Sequence, residues 1–165
     1  MYKVAIIGGG VVGGLIARKM AEYDVKTVIL EKENDVATGQ SKANSGIVHA
    51  GYDPKPGTLK AKLNVLGSKM MEDICKELDV KYKRNGALVV GYSDKDVETL
   101  EELYNRGKNN GVLGLKILDG EDVRKLEKNL SKDIKKALYV PSSAVVCPYE
   151  LTIESIGNAM DNGVH

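Results

Sequence analysis

The stretch Lys3-Val4-Ala5-Ile6-Ile7-Gly8-Gly9-Gly10-Val11-Val12-Gly13-Gly14-Leu15-Ile16-Ala17 decides the fold. Lys3 to Ile7 is a β-branched run of strand length. From Val11 to Tyr23 the residues Val12, Leu15, Ile16 and Met20 mark one face of a helix. Between the two lies Gly8-x-Gly10-x-x-Gly13, the G-x-G-x-x-G pattern in the strand-to-helix context that gives it a mechanism. Gly8 allows the tight turn, Gly10 lets a diphosphate approach the backbone, and Gly13 permits close packing of helix on strand. The helix start adds free N–H groups and about half a unit of positive charge. Val25 to Glu31 reads as the next strand. Its terminal Glu31 is placed to accept hydrogen bonds from ribose hydroxyls and to repel a 2′-phosphate, which disfavours NADP. With all these parts in register, the segment predicts a dinucleotide site rather than a plain packing turn.

The rest of the chain supports an α/β protein. It has 165 residues, 42% of them hydrophobic, enough for one domain or most of one. The 24 Lys and Arg against 23 Asp and Glu give no field that would select nucleic acid or an anionic membrane. The longest uncharged run, Val4 to Ala17, is shorter than the roughly 18 residues of a bilayer span and is broken by glycines, so neither a transmembrane segment nor a targeting peptide is expected. Cys75 and Cys147 form no C-x-x-C pair and read as reduced thiols of a cytoplasmic protein.

Further along, Leu59, Leu63, Leu66, Met70, Ile74 and Leu78 predict a helix over Thr58 to Leu78, with Met70 and Met71 as core fillers. Strands are expected at Ala87–Tyr92, Leu115–Leu118, Lys136–Val140 and Ala144–Val146. Helices are expected from the Ser93–Asp94 cap to Asn110, around Glu121–Glu127, and from Pro148 to Asp161. A doubly wound sheet would send another strand inward after that last helix, so the chain is expected to be part of a longer polypeptide. Residues 34 to 57 follow neither period and are rich in Ser, Thr, Asn, Gly and Pro, with one helical turn expected around Ser41 to Ser45. A loop of that length usually has a function. Its hydroxyls and amides, from Thr38 to Gly46, suit an extended FAD diphosphate and ribityl chain better than NAD.

Glu31, Thr38-Gly39, Ser41 and Asn44-Ser45-Gly46-Ile47-Val48-His49-Ala50-Gly51, together with the glycine turn, resemble the D-amino-acid-oxidase-type FAD-dependent oxidoreductases. Within that group the chain is similar to glycerol-3-phosphate and L-2-hydroxyglutarate dehydrogenases. Pro56-Gly57-Thr58-Leu59-Lys60-Ala61 looks like the second; Val140-Pro141 and Cys147-Pro148-Tyr149-Glu150-Leu151-Thr152 are similar to both, with Cys147 where Asp is frequent. The resemblance implies a doubly wound, Rossmann-like FAD-binding core followed by the start of a mixed-sheet substrate region. Residues 1–80 would form the first part of the core, 81–147 the substrate-domain strands and helices, and 148–165 a helix returning to the core. It further implies noncovalent FAD contacted by Gly8, Gly10, Val12, Gly13, Glu31, Lys32, Thr38, Ser41, Asn44, Ser45 and Gly46, with His49 beside the isoalloxazine.

An imidazole titrates near working pH, so His49 is suited to polarise a substrate hydroxyl or to stabilise a reduced flavin; a buried imidazole satisfied by backbone is the alternative. Lys60 and Lys62 read as solvated helix charges, Lys81, Lys83 and Arg84 with Tyr82 as an amphipathic strand edge, and Cys147 as structural. The expected activity is oxidation of a secondary alcohol on a small anionic metabolite, sn-glycerol 3-phosphate first and L-2-hydroxyglutarate second. An amine-oxidising flavoenzyme and a non-catalytic nucleotide-binding module are the alternatives. The 165 residues alone are expected to bind FAD poorly and not to turn over.

Overall fold

A computed structural model describes residues 1–165. In chain order its elements are β1 (Val4–Ile7), α1 (Val11–Met20), β2 (Thr27–Leu30), a 3₁₀ turn (Gln40–Lys42), β3 (Ile47–Val48), α2 (Leu59–Glu77), β4 (Tyr82–Lys83), β5 (Ala87–Gly91) and α3 (Asp94–Asn109). They continue through β6 (Lys116–Asp119), α4 (Gly120–Leu126), β7 (Lys136–Val140), β8 (Ala144–Val146) and α5 (Pro148–Asp161). The chain forms two compact units. One comprises Met1–Gly46, Asp73–Tyr82 and Val146–His165, the other Ile47–Glu72 and Lys83–Val145. Residues 47–72 thus fall in the second unit, where the sequence reading had kept the first going to residue 80. No helix is long and apolar enough to cross a membrane.

In the first unit β1 and β2 pair in parallel, Val4 opposite Thr27 through Ile7 opposite Leu30. At the other edge of β2, His165 donates its N–H to Thr27 O and accepts from Ile29 N, the alternation of a further parallel pairing. Ile6, Ala17, Ala159 and Val164 form the buried core, with Val4, Ala21 and Ile29 against it. The expected apolar face of α1 is corrected here. Val12 and Ile16 are 68% and 48% exposed, whereas Gly13, Gly14 and Ala17 are buried. The physical reason is close approach: a β-carbon on Gly14 would stand 3.0 Å from Ile156 Cγ1 and 3.3 Å from Ser155 Cβ of α5, so the small residues, not the large ones, make the contact face.

In the second unit the pairing is antiparallel. β3 lies against β8, and β7 stands between β5 and β6, with Leu138 opposite both Val89 and Ile117. Ala50, Leu100, Val112, Leu115, Leu138 and Val140 build the core beneath α3. A capping box starts α3: Ser93 Oγ accepts from Asp96 N and the Asp96 carboxylate accepts from Ser93 N. The two-residue strand β3 went unrecognised because it is too short to show alternation. The ladder predicted on α2 is also corrected. Leu59, Leu63, Leu66 and Met70 are each about half exposed or more, and Ala61 and Cys75 are the buried positions; Met70 is therefore no core filler. Residues 59–72 of this helix belong to one unit and 73–77 to the other, so no single core demands one continuous apolar stripe.

Candidate functional site

The turn after β1 is fixed from both sides. Gly8 adopts φ +106°, which a side chain would resist, and its N–H donates to Leu30 O (2.8 Å), tying the turn to the end of β2. A β-carbon on Gly13 would sit 2.0 Å from Gly8 O, so this position must be glycine for α1 to begin where it does. Gly10 is the N-cap residue of α1 and has no side chain with which to cap it. Ser41, distant in sequence and buried, supplies the cap instead: its Oγ accepts from Val11 N at 2.9 Å.

Glu31 reaches back to the same turn. Its Oε2 accepts from Gly9 N (2.6 Å), and its Oε1 accepts from Lys32 N (2.8 Å) and Glu33 N (3.0 Å). The amides of Glu33, Gly9 and Lys32, in that order, hold its carboxyl below the ordinary glutamate range, so it is anionic at neutral pH. Beside it lies a cavity of about 420 Å³ lined by Gly10, Glu31, Lys32, Thr38, Gly39 and Ser41. Ala37 closes one side; it is buried, has φ +59°, and donates to Gly9 O (2.9 Å).

Gly8, Gly10, Gly13, Glu31, Lys32, Thr38 and Ser41 therefore belong to one turn and its cavity. Val12 points outward on α1. Asn44 shapes the loop: its Nδ2 donates to Gln40 O (2.9 Å) and Ser41 O (3.3 Å), and its Oδ1 accepts from Gly46 N (2.8 Å). Gly46 is left-handed (φ +64°) and pairs with Val146, while Ser45 is exposed. Gly9 and Ala37 were missed. Gly9 was hidden inside the glycine triplet, and nothing in an alanine's identity signals a positive φ.

His49, in the second unit, is exposed, which removes the buried-imidazole alternative. It lines a cavity of about 150 Å³ with Tyr52, Asp53, Lys60 and Asn64. Burial, and then the neighbouring Asp53 charge, push the Tyr52 hydroxyl up. Lys60 and Lys62 are exposed, as expected, and Arg84 pairs with Glu72 at 2.6 Å. Cys147 is the N-cap residue of α5, half-buried and without a side-chain cap bond.

Residues 3–165 match the model of the family described as FAD dependent oxidoreductase. The chain belongs to that family. It is 48% identical over 165 residues to a glycerol 3-phosphate dehydrogenase of Caloramator mitchellensis, covering all of this chain and 34% of that protein. It is 40% identical over 161 residues to the mitochondrial L-2-hydroxyglutarate dehydrogenase of Dictyostelium discoideum, covering 96% of this chain and 36% of that one. Among solved structures, the dithionite-reduced L-alpha-glycerophosphate oxidase of Mycoplasma pneumoniae with FAD bound superposes at a TM-score of 0.93 and 30% identity, covering 99% of this chain and 44% of that one. The chain thus spans about a third of the length of the curated relatives it matches.

FAD, the family's cofactor, fits the residues present. A β-carbon on Gly10 would project to within 3.1 Å of Ser41 Oγ, at the start of a helix with no acidic residue in its first turn. A helix start that is capped by Ser41 at Val11 N alone and has no acidic residue in its first turn suits a diphosphate, and the anionic carboxylate held at Gly9 N suits a ribose diol.

Proposed function

We propose that the chain is the FAD-binding portion of a dehydrogenase that oxidises the secondary alcohol of sn-glycerol 3-phosphate. Identity along the whole chain to a glycerol 3-phosphate dehydrogenase, together with an intact nucleotide turn, carries this reading. In it the Gly8–Gly13 turn and the start of α1 hold the diphosphate, Glu31 accepts from the adenosine ribose, and Lys32, Thr38, Ser41, Asn44, Ser45 and Gly46 flank the cofactor. Bound FAD supplies a two-electron acceptor. His49 is the catalytic residue: an imidazole nitrogen takes the proton of the substrate hydroxyl as the C–H bond is oxidised.

The complete polypeptide containing this chain is expected to purify yellow and to bleach anaerobically with glycerol 3-phosphate. Bleaching by L-2-hydroxyglutarate instead would favour the second reading, which the 40% identity to that dehydrogenase supports. Bleaching by neither substrate but by an amine would favour amine oxidation, in keeping with the fold shared with the glycine oxidase of Bacillus cereus (TM-score 0.89, 27% identity). A colourless protein that binds NAD would overturn all three. In the yellow enzyme His49→Ala is expected to lower kcat at least about tenfold with FAD retained, the lower end of what a general base contributes. Unchanged kcat removes His49 from the mechanism.

A further inference from the structure

The loop from His49 to Pro54 is held by two side-chain amides from two helices. Asn64 Nδ2, on α2, donates to His49 O at 2.7 Å. Asn110 Nδ2, at the C-terminal end of α3, donates to Gly51 O (2.9 Å) and to Pro54 O (2.8 Å). Between these clamps Gly51 has φ +100°, and a β-carbon there would fall 2.5 Å from Val65 Cγ2, so the loop presses on α2 beside Asn64. Tyr52 anchors it from the other side by packing on the buried core.

Asparagine is a poor helix former, and its side chain competes for backbone groups. At position 64 that competition is directed at one carbonyl, that of His49, which lines the same cavity as Asn64 itself. Fixing a peptide's carbonyl fixes its plane and the Cα–C bond that lies in it, which leaves rotation about that one bond to set where the Cα–Cβ bond points and so narrows the directions open to the side chain. Resting on the role of His49 given above, we infer that Asn64 is a positioning residue: its amide sets the orientation in which the His49 imidazole is presented to the cavity. Asn110 fixes the far end of the same loop.

His49 and His165 are the only histidines of these 165 residues, so each serves as a reference for the other. In the complete polypeptide containing this chain, with the two ring signals assigned through His49→Gln and His165→Gln, Asn64→Ala is expected to shift and broaden the His49 ring resonances. Its carbethoxylation by diethyl pyrocarbonate should change in rate by about fivefold, the scale of one lost hydrogen bond on the surroundings of an already exposed ring, with His165 unchanged. Asn64→Leu, which keeps the volume without the donor, should behave alike even if the alanine variant unfolds; Asn64→Gln, which keeps a donor, should restore part of the wild-type signal. A lowered Tm with His49 spectra and reactivity as in wild type would overturn the inference and make Asn64 a packing residue. That result is independent of the kcat of His49→Ala, so the two readings fail separately.

Discussion

Gly13→Ala is expected to abolish measurable FAD binding and to lower the unfolding free energy by about 2–3 kcal/mol. On helix propensity alone the change would stabilise by about 1 kcal/mol, since glycine is a poor interior helix residue. The sign reverses because the new methyl would lie 2.0 Å from Gly8 O and 3.4 Å from Ile6 Cγ2, and the first is a backbone atom that cannot swing aside. Relief requires α1 to slide from β1 or the Gly8 peptide to rotate. Rotation of that peptide swings its N–H, which is Gly9's, off Glu31 Oε2 and turns an amide of the glycine turn away. Gly157→Ala provides the contrast: it lies within α5, a β-carbon there meets nothing within 4 Å, and the variant should gain up to about 1 kcal/mol. Thermal unfolding and FAD titration of the two variants, each made in the complete polypeptide, test the argument; a Gly13→Ala protein that is stabilised like Gly157→Ala and binds FAD would refute it.

The parts legible in the sequence were those governed by local rules. The glycine spacing, the Ser93 cap and the Pro148 start act within a few residues of themselves, and the structure places each as expected; the acid after β2 was legible from its place at the strand's end, although its carboxylate also reaches Gly9 N. What escaped depends on distant partners. Val12 and Ile16 read as core by period, yet the buried face of α1 is Gly13, Gly14 and Ala17, because α5 approaches so closely that only small residues fit. The strand Ile47–Val48 exists by virtue of Ala144 and Val145 opposite it, not through any alternation of its own. Ser41 was expected along the cofactor, but its service as a cap for Val11 is visible only once the loop has folded back on α1.

Glu31 carries the second large effect. Its carboxylate accepts from three backbone N–H groups, one on Oε2 and two on Oε1, so both oxygens are committed to donors while lone pairs remain for a ribose diol. Glu31→Gln is isosteric but not equivalent, because the amide NH₂ must face either Gly9 N–H or the Lys32 and Glu33 N–H pair, donor against donor. Both Glu31→Gln and Glu31→Ala are therefore expected to weaken FAD binding about a hundredfold, the scale of losing a charge-assisted hydrogen bond at a formed site. The pH dependence has a definite sign. The folded-state carboxyl titrates below the ordinary glutamate value of 4.5, so its contribution to stability is complete above 4.5 and disappears as pH falls through the lower folded value. FAD affinity should follow the same course, flat through neutrality and falling in acid, and the acid-side loss contributed by this group should be missing in Glu31→Gln. Titrations of wild type and variant from neutrality downward decide it: equal affinities at neutral pH would mean that Glu31 does not hold the nucleotide.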